Sequence, residues 1–173
     1  IILSPVMLIT AVMIKLYSKG PVLYSQERVG LYGKTFFVHK FRSMKQDAEA
    51  KCGPVLAAEG DPRITKFGRF MRATRLDELP QLFNVLKGEM SIVGPRPERP
   101  FFVKQFIAQK PEYDYRHNVK PGITGLAQIA GKYNTSAYDK LIYDLLYIQD
   151  FSVKTDLMIM LQTFKVLLTK SST

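Results

Sequence analysis

The first fourteen residues, 1–14, are almost wholly apolar, and they constrain the fold more than any other part of the chain. Only Ser4, Pro5 and Thr10 interrupt the run, and the sequence turns polar and basic directly afterwards. A helix needs about 20 residues to span a bilayer, so this segment is too short to cross one. Pro5 lacks a backbone donor and is expected to kink a helix, while Ser4 can bond part of the freed backbone.

A kinked apolar helix with a basic flank is typical of a segment that enters the membrane and turns back, or of the second half of a spanning helix. A buried core helix is the alternative that these residues leave open. No small-residue cleavage site follows, which disfavours a signal peptide. Because the chain begins without methionine, we expect the run to be the remainder of a longer apolar segment.

The composition of the chain sets outer limits on its function. Its 173 residues suffice for one folded domain with a core of its own. The formal net charge of +10 implies an anionic partner, and nucleic acid, an acidic membrane surface and a phosphorylated small molecule all fit. The single Cys52 excludes an internal disulfide, and the two distant histidines, His39 and His117, provide no Cys/His metal cluster.

A β-hairpin is predicted after the apolar segment. Two runs rich in strand-forming residues, 22–29 and 34–41, flank a short turn over 30–33 whose two glycines supply special backbone angles. Alternation along the second strand puts Lys40 and Arg42 on one face and Phe41 on the other. A polar loop over 46–62, punctuated by glycine and proline, is expected to be a mobile excursion near the site.

The sequence from residue 63 onwards predicts a basic amphipathic helix. Its apolar face is formed by Phe67, Phe70, Met71 and Thr74, and its basic half by Lys66, Arg69, Arg72 and Arg75. Such a helix suits an anionic membrane surface, and a core-packed helix with a solvated basic face is equally open.

An acidic pair, Asp77 and Glu78, follows this helix, and a second helix is predicted from Pro80 to its stop at Gly88. A carboxylate among cations stays ionised at neutral pH, so this pair can act as a nucleophile or as a metal ligand. An ordinary solvated pair at a helix start is the alternative.

A proline-bounded arginine follows the second predicted helix. Arg96 lies between Pro95 and Pro97, which fix the backbone as extended and reduce the entropy lost when the guanidinium binds a phosphate. A simple proline-bounded connector is the other interpretation.

Near the C-terminus an apolar stripe predicts an amphipathic helix over 155–168, either packed on the core or at a membrane interface, and we favour the core. The stripe consists of Leu157, Met160, Leu161, Phe164 and Leu168.

Five segments, in this order, resemble the bacterial sugar transferase family, the monotopic polyprenyl-phosphate phosphoglycosyl transferases. They are Gly-Pro-Val-Leu-Tyr-Ser-Gln-Glu-Arg-Val-Gly (20–30), Lys-Phe-Arg-Ser-Met (40–44), Leu-Asp-Glu-Leu-Pro-Gln-Leu (76–82), Ser-Ile-Val-Gly-Pro-Arg-Pro (91–97) and Pro-Gly-Ile-Thr-Gly (121–125). The resemblance covers essentially the whole chain.

The resemblance implies an α+β fold, a membrane-associated monotopic domain with a kinked re-entrant N-terminal helix, a small β-hairpin and amphipathic helices around it. Ser4 and Pro5 match the kink of the re-entrant helix. We therefore expect a membrane-inserted helix over 1–19 and a phosphoglycosyl transferase catalytic domain over 20–173, truncated at its N-terminus. The expected location is the cytoplasmic face of the bacterial inner (plasma) membrane.

The reaction implied by the resemblance has two steps. The motif aspartate, Asp77, attacks the β-phosphorus of a nucleoside-diphosphate sugar, expected to be a UDP-hexose, releases UMP and holds the sugar phosphate covalently. A polyprenyl phosphate, usually undecaprenyl phosphate, then takes the sugar phosphate. Such a reaction begins the synthesis of exopolysaccharide, capsule, lipopolysaccharide O-antigen or glycoprotein glycans. Carboxylates are established nucleophiles in phosphoryl transfer.

The resemblance also assigns roles to residues of this chain. Glu78 matches the residue that helps to bind Mg²⁺, a hard cation that accepts one or two carboxylates plus phosphate oxygens. Substrate binding is expected from Lys40, Arg42, Arg72, Pro95, Arg96 and Pro97, of which the last three form the nucleotide-binding element. Arg116 and Asp144 occupy recognisable stretches, and we expect them at the substrate without a fixed role.

The expected partners are the nucleoside-diphosphate sugar, polyprenyl phosphate and membrane lipids, with no nucleic acid and with a homo-oligomer left open.

Two alternative functional classes remain. A basic nucleic-acid-binding module would explain the charge, and salt-dependent retention on DNA would support it, but no recognised motif is present. A noncatalytic membrane scaffold would explain the apolar helices, and full function in cells after Asp77→Asn would support it.

Overall fold

A computed structural model describes residues 2–46, 48–49, 53, 55, 60–131 and 136–168. The mixture of helices with small sheets confirms the α+β class. The helices are α1 (Ser4–Tyr17), α2 (Lys66–Ala73), α3 (Gln81–Leu86), α4 (Pro100–Gln109), α5 (Leu126–Ala130), α6 (Ala137–Gln149) and α7 (Val153–Leu168). The strands are β1 (Leu23–Val29), β2 (Thr35–Phe41), β3 (Ser91–Val93) and β4 (Gly122–Thr124). Short 3-10 helices cover Leu31–Gly33, Leu76–Glu78 and Pro111–Asn118.

The chain divides into two compact units. The first comprises Ile1–Ser25 and His39–Gln81, and the second comprises Gln26–Val38 and Leu82–Thr173. Because the boundaries fall inside β1 and β2, each of these strands contributes residues to both units.

Helix α1 carries the apolar N-terminal segment. Pro5 lies in its first turn, where the missing backbone donor would have no helical partner in any case, so Ser4–Tyr17 is continuous. Ile14 is buried, while most other apolar side chains of α1, including Leu8 and Leu16, are exposed. None of the helices in the described ranges is long and apolar enough to cross a membrane. The re-entrant kink stays a prediction.

The first unit has a small apolar core to which α1, β2 and α2 contribute. Its buried members are Ile14, Phe41 and Met71, with Met7, Ala11, Val22, Phe67, Leu76 and Leu79 packed against them. Helix α2 begins at Thr65, whose side chain accepts a hydrogen bond from Gly68 N at 2.9 Å. A Cβ at Gly68 would lie 1.9 Å from the carbonyl oxygen of Ser43, so only glycine permits this close packing.

The predicted apolar face of α2 is therefore wrong in part. The packed face runs through Phe67, Gly68 and Met71, whereas Phe70 and Thr74 are exposed. The close approach at Gly68 turns the helix so that Phe70 faces outward, where its ring stacks on Phe67 at 5.9 Å. Packing at a small residue decided which side of the helix was buried.

The hairpin is confirmed. Strands β1 and β2 form a two-stranded sheet, and Gly30 N donates to the Lys34 carbonyl at 2.8 Å across the turn. The positive φ angles fall on Tyr32 (55°) and Gly33 (74°), whereas Gly30 is extended, so the turn uses the conformational freedom of one glycine. Much of the loop predicted over 46–62, including Cys52, lies outside the described residues.

The second unit is built around two short parallel strands. In the register of β3 and β4, Ser91 lies opposite Gly122 and Val93 opposite Thr124. Helices α4 to α7 cover two clusters of buried side chains. One contains Val29, Val103, Tyr113 and Leu141, and the other contains Val93, Tyr147 and Ile159.

Helix α7 has two apolar faces, and the predicted core packing of its stripe is wrong for three of its members. The buried face runs through Thr155 and Ile159, with Met160 partly buried beside them. Leu157, Leu161 and Phe164, spaced at i, i+4 and i+7, form a second face that is more than half exposed. The side chain of Leu168 lies outside the described part of the structure.

Candidate functional site

The acidic pair sits in a tight, buried turn of the first unit. Asp77 and Glu78 belong to the single turn of 3-10 helix over Leu76–Glu78, and each is only 7% exposed. Leu76 and Leu79, on either side, pack against the core and fix the turn. This burial excludes the ordinary solvated pair that the sequence left open, because buried carboxylates need compensating partners.

The turn begins with an unusual backbone conformation. Arg75 adopts a left-handed conformation with φ of 58°, and its carbonyl accepts a hydrogen bond from Glu78 N at 3.1 Å. A non-glycine residue rarely adopts positive φ, so the turn is held at a conformational cost. Arg75 thus interrupts the right-handed backbone between α2 and the acidic pair.

Cations contact both oxygens of the Glu78 carboxylate. Lys40 Nζ lies 3.0 Å from Oε1, and Arg75 Nη1 lies 3.8 Å from Oε2. Lys40 reaches the turn from the end of β2, as the alternation with the buried Phe41 predicted. The fold thus brings Lys40 to the acidic pair, and its predicted contact with substrate stays a prediction.

The other two predicted cations of this unit bind protein groups. Arg42 is buried, and its guanidinium donates to the carbonyls of Pro21 (2.7 Å), Lys19 (2.7 Å) and Ser18 (3.0 Å). It thereby fixes the segment that follows α1. Arg72 Nε donates to Ser43 Oγ at 2.9 Å. Direct contact of either arginine with a substrate stays a prediction.

The acidic pair fits a hard divalent cation of the kind that completes its shell with substrate oxygens. Groups of three or more metal-ligating side chains are absent from the described residues, so an all-protein cage is not formed there. Asp77 and Glu78 offer two adjacent carboxylates, and Mg²⁺ typically takes one or two of these together with phosphate oxygens and water. Glu78, predicted as the metal ligand, is thus compatible with Mg²⁺.

The Pro95-Arg96-Pro97 segment of the second unit is held by all three of its carbonyls. That of Pro95 accepts from Gly122 N at 3.0 Å, that of Arg96 from Arg116 Nη2 at 2.8 Å, and that of Pro97 from Arg28 Nη1 at 3.0 Å. Together with the two fixed proline φ angles, these bonds make the segment rigid. The predicted rigidity therefore comes from tertiary hydrogen bonds as well as from proline.

Gly94 precedes this segment at a point where two backbones nearly touch. A Cβ at Gly94 would lie 2.4 Å from the carbonyl oxygen of Lys120, so a larger residue would push the β3 and β4 segments apart. Gly94 N also donates to the Thr124 carbonyl at 2.9 Å. The segment thus starts from a fixed point on the sheet.

Arg116 and Asp144 form a buried ion pair behind the proline segment. Arg116 Nη2 lies 2.8 Å from Asp144 Oδ2, and the two side chains are 5% and 2% exposed. Arg116 Nη1 also donates to Tyr113 Oη at 2.6 Å, and burial raises the pKa of Tyr113 to about 12. The expected contact of Arg116 and Asp144 with the substrate stays a prediction, and in the fold Arg116 holds the carbonyl of Arg96.

The charge state of this pair follows from its burial. Burial by itself lowers the pKa of Arg116. The negative charge of Asp144 raises that pKa, and the net effect is a rise above the ordinary value. Burial raises the pKa of Asp144, and Arg116 opposes that rise. We take both as ionised at neutral pH, because a neutral Asp144 would leave the buried Arg116 charge unpaired.

The site residues expected from the sequence thus fall into two groups, one in each unit. The first unit contains Ser4, Pro5, Lys40, Arg42, Arg72, Asp77 and Glu78, and the second contains Pro95, Arg96, Pro97, Arg116 and Asp144. Sequence reasoning missed Ser43, Arg28 and Tyr113, whose partners no local pattern indicates. It also missed the buried Gln81, although its spacing of four residues from Asp77 was a usable signal.

Comparison with known proteins identifies the family. A bacterial sugar transferase model matches residues 1–170. The chain is 49% identical over 169 residues to the UDP-N-acetylgalactosamine-undecaprenyl-phosphate N-acetylgalactosaminephosphotransferase of Aeromonas hydrophila, covering 96% of this chain and 40% of that protein. It is 47% identical over 178 residues to the UDP-glucose:undecaprenyl-phosphate glucose-1-phosphate transferase of Klebsiella pneumoniae, covering 99% and 38%. It is 44% identical over 160 residues to the galactosyl transferase CpsE of Streptococcus agalactiae, covering 86% and 35%.

The chain therefore spans less than half the length of each of these three relatives. Their names specify three different sugars, so similarity at this level does not select one. The match over residues 1–170 and these identities confirm the family expected from the five sequence segments. The chain belongs to the bacterial sugar transferase family.

Proposed function

We propose that this chain is the catalytic part of an enzyme that transfers a sugar 1-phosphate from a UDP-sugar to undecaprenyl phosphate. The observation that carries the proposal is the buried Asp77-Glu78 turn with cations at both oxygens of Glu78. The names of two relatives, which act on UDP-sugars and undecaprenyl phosphate, support the choice of substrates.

In the first step, a carboxylate oxygen of Asp77 attacks the β-phosphorus of the UDP-sugar. A new oxygen–phosphorus bond forms as the bond from that phosphorus to the bridging oxygen breaks, and UMP leaves. UMP departs as a phosphate, so no proton donor is needed, and an aspartyl phosphosugar remains on the protein. A nucleophile held in a rigid buried turn needs little reorganisation to react.

In the second step, an oxygen of undecaprenyl phosphate attacks the same phosphorus. The bond from the phosphorus to Asp77 breaks, the carboxylate is regenerated, and the product is a lipid diphosphate sugar. Division into two steps suits one water-soluble and one membrane-held substrate, because they need not be bound together.

The neighbouring charges have distinct roles in this scheme. Glu78, together with oxygens of the diphosphate, would hold Mg²⁺, and the ion would neutralise phosphate charge. Lys40, 3.0 Å from Glu78 in the protein, keeps that carboxylate fixed in the turn and adds positive charge to the site. Arg72, anchored through Ser43, is the further cation that we assign to the phosphates.

The Pro95-Arg96-Pro97 segment is proposed to bind the nucleotide. Its carbonyls are already hydrogen-bonded to the protein, so the backbone loses little entropy when ligand binds. The guanidinium of Arg96 offers planar, multiple donors that suit a phosphate or a uracil edge. The buried Arg116 and Asp144 hold this segment in place.

We place the enzyme at the cytoplasmic face of the bacterial inner membrane. The exposed apolar side chains of α1 and the exposed face of α7 support association with lipid, as does the net charge of +10. A lipid-linked acceptor also requires the site to be near a bilayer. The pathway we assign is bacterial surface polysaccharide synthesis.

Mass spectrometry tests the covalent intermediate directly. The enzyme is incubated with Mg²⁺ and, in turn, UDP-glucose, UDP-galactose and UDP-N-acetylgalactosamine, without lipid acceptor. Intact-mass spectra of the quenched protein are expected to show an increase of one sugar phosphate, mapped to Asp77, with the true donor. Asp77→Asn should give no adduct, because an amide is a poor nucleophile for phosphorus.

Asp114→Asn is the matched control. Asp114 is an exposed aspartate whose oxygen lies 2.9 Å from His117 Nδ1, and asparagine keeps an acceptor there. This variant should form the adduct at the normal rate. Absence of adduct from enzyme with measured transfer activity, or full turnover by Asp77→Asn, would show that the covalent mechanism is wrong.

A further inference from the structure

Gln81, at the start of α3, is a buried amide that the fold does not satisfy. Its side chain is 2% exposed, and its Nε2 has no hydrogen-bond partner among the residues that the structure describes. A buried donor without an acceptor lowers stability, and native proteins seldom retain one without a reason. This side chain therefore requires a functional explanation.

A second buried amide in the same helix provides the contrast. Asn84 is 0% exposed, and its Nδ2 donates to the carbonyl of Phe37 and to Glu89 Oε2, both at 2.7 Å. Both of its amide hydrogens are thus used by the fold. The two amides lie three residues apart, and Asn84 is structural while Gln81 is not satisfied.

The position of Gln81 relates it to the acidic pair. Leu79 is in the right-handed helical region, and only Leu79 and Pro80 separate the turn at Leu76–Glu78 from α3. On helical backbone, residues three and four apart share a face, which puts Gln81 on the side of Glu78 and Asp77. An amide donor there can reach an oxygen bound next to the nucleophile.

We propose that Gln81 Nε2 donates a hydrogen bond to a non-bridging oxygen of the phosphoryl group transferred to and from Asp77. The inference rests on the proposed function and adds a substrate-contacting residue to it. A buried, preoriented donor stabilises the negative charge that shifts onto this oxygen in the transition state. The stability lost in the free protein is recovered when substrate supplies the acceptor.

The test compares Gln81→Met with Asn84→Leu, each of which removes an amide and keeps a similar shape. Gln81→Met should melt at or above the wild-type temperature, because an unsatisfied donor has been removed. Its single-turnover rate of adduct formation on Asp77, at saturating UDP-sugar and Mg²⁺, should fall about 10²–10³-fold. Asn84→Leu should melt lower, because it leaves two acceptors without their donor.

A substrate with sulfur in place of one non-bridging β-phosphate oxygen tests the contact itself. If Gln81 donates to that oxygen, sulfur substitution slows the wild type more than it slows Gln81→Met, because the variant has no bond to weaken. An equal effect of sulfur, for both diastereomers, on the two proteins overturns the proposal. If Gln81→Met both melts lower and reacts more slowly, the same sulfur comparison shows whether the slower reaction comes from loss of the contact with the phosphoryl oxygen.

A variant that melts lower than the wild type but forms adduct at the wild-type rate would show that Gln81 is a structural amide and overturn the inference. Failure of the proposed function gives a different result, because the wild type would then form no adduct. Even if the wild type forms no adduct, the melting temperatures of Gln81→Met and Asn84→Leu still show whether the fold needs the Gln81 amide.

Discussion

Replacing Asp144 by asparagine removes one partner of the buried ion pair and leaves the Arg116 charge uncompensated. The atoms Arg116 Nη2 and Asp144 Oδ2 are 2.8 Å apart, and both side chains are at least nine-tenths buried. Coulomb's law with an effective dielectric constant of about 20 gives an attraction of about 6 kcal/mol at that distance. Desolvation offsets part of this attraction in the intact pair, but the substitution leaves the desolvation of Arg116 in place.

The expected loss of unfolding free energy for Asp144→Asn is about 3–5 kcal/mol, the range found when one member of a buried pair is removed. For a chain of this size, each kcal/mol lowers the melting temperature by about 2–4 °C, so the melting temperature should fall by about 6–20 °C. Circular dichroism followed during heating and during urea denaturation measures both quantities.

Glu98→Gln is the matched control, since it also converts a carboxylate to an amide in an ion pair. The Arg28–Glu98 pair is longer, at 3.4 Å, and its side chains are 17% and 24% exposed. Partial solvation limits the expected loss to about 1 kcal/mol or less. The difference between the two variants isolates the effect of burial.

A double variant, Arg116→Met with Asp144→Leu, separates stability from positioning. Apolar residues of similar volume often replace a buried pair without loss, so most of the stability should return. The hydrogen bond from Arg116 to the Arg96 carbonyl does not return, and its loss of about 1.4 kcal/mol corresponds to a tenfold rise in KM for the UDP-sugar. Equal losses in Asp144→Asn and Glu98→Gln, or an unchanged KM in the double variant, would refute this reasoning.

Two further predictions concern pH and lipid. Burial lowers the pKa of His117 from its ordinary value of 6.5, against the opposing effect of Asp114, so its contribution to stability is present above pH 6.5 and is lost as pH falls towards the folded-state pKa. Urea denaturation between about pH 7.5 and about pH 5 should show this loss of unfolding free energy. His117→Gln should make the unfolding free energy depend less on pH, and the same pH dependence in the variant as in the wild type would argue against this role of His117. Leu161→Gln on the exposed face of α7 should leave the melting temperature nearly unchanged and weaken flotation with anionic vesicles about tenfold, and undiminished flotation would exclude lipid contact at this face.

Local patterns predicted much of the fold because their causes are local. Pro80 directly precedes α3, as predicted, and the glycine at position 33 permits the hairpin turn, whereas Pro5, expected to kink a helix, lies in the first turn of α1. The acidic pair and the proline-bounded arginine were recognisable from residue types at fixed spacing. These features depend on neighbours within a few residues.

The errors arose where distant contacts decide. Both faces of α7 are apolar, with Ile159 on one and Leu161 on the other, and a helical period does not rank two faces of similar hydrophobicity. The different partners of Lys40 and Arg42 were likewise not predictable from their shared spacing, since Lys40 contacts Glu78 whereas Arg42 binds carbonyls that follow α1. Such pairings depend on the register of segments far apart in sequence.

The left-handed backbone at Arg75 sets stability and the charge of the site against each other at one position. Glycine or asparagine would adopt a φ of 58° at lower conformational cost, by roughly 1 kcal/mol. Either replacement would also remove the guanidinium that lies 3.8 Å from Glu78. Selection for thermal stability alone would therefore favour loss of a cation beside the acidic pair, and an engineer who stabilises this protein must exempt position 75 from consensus or glycine substitution.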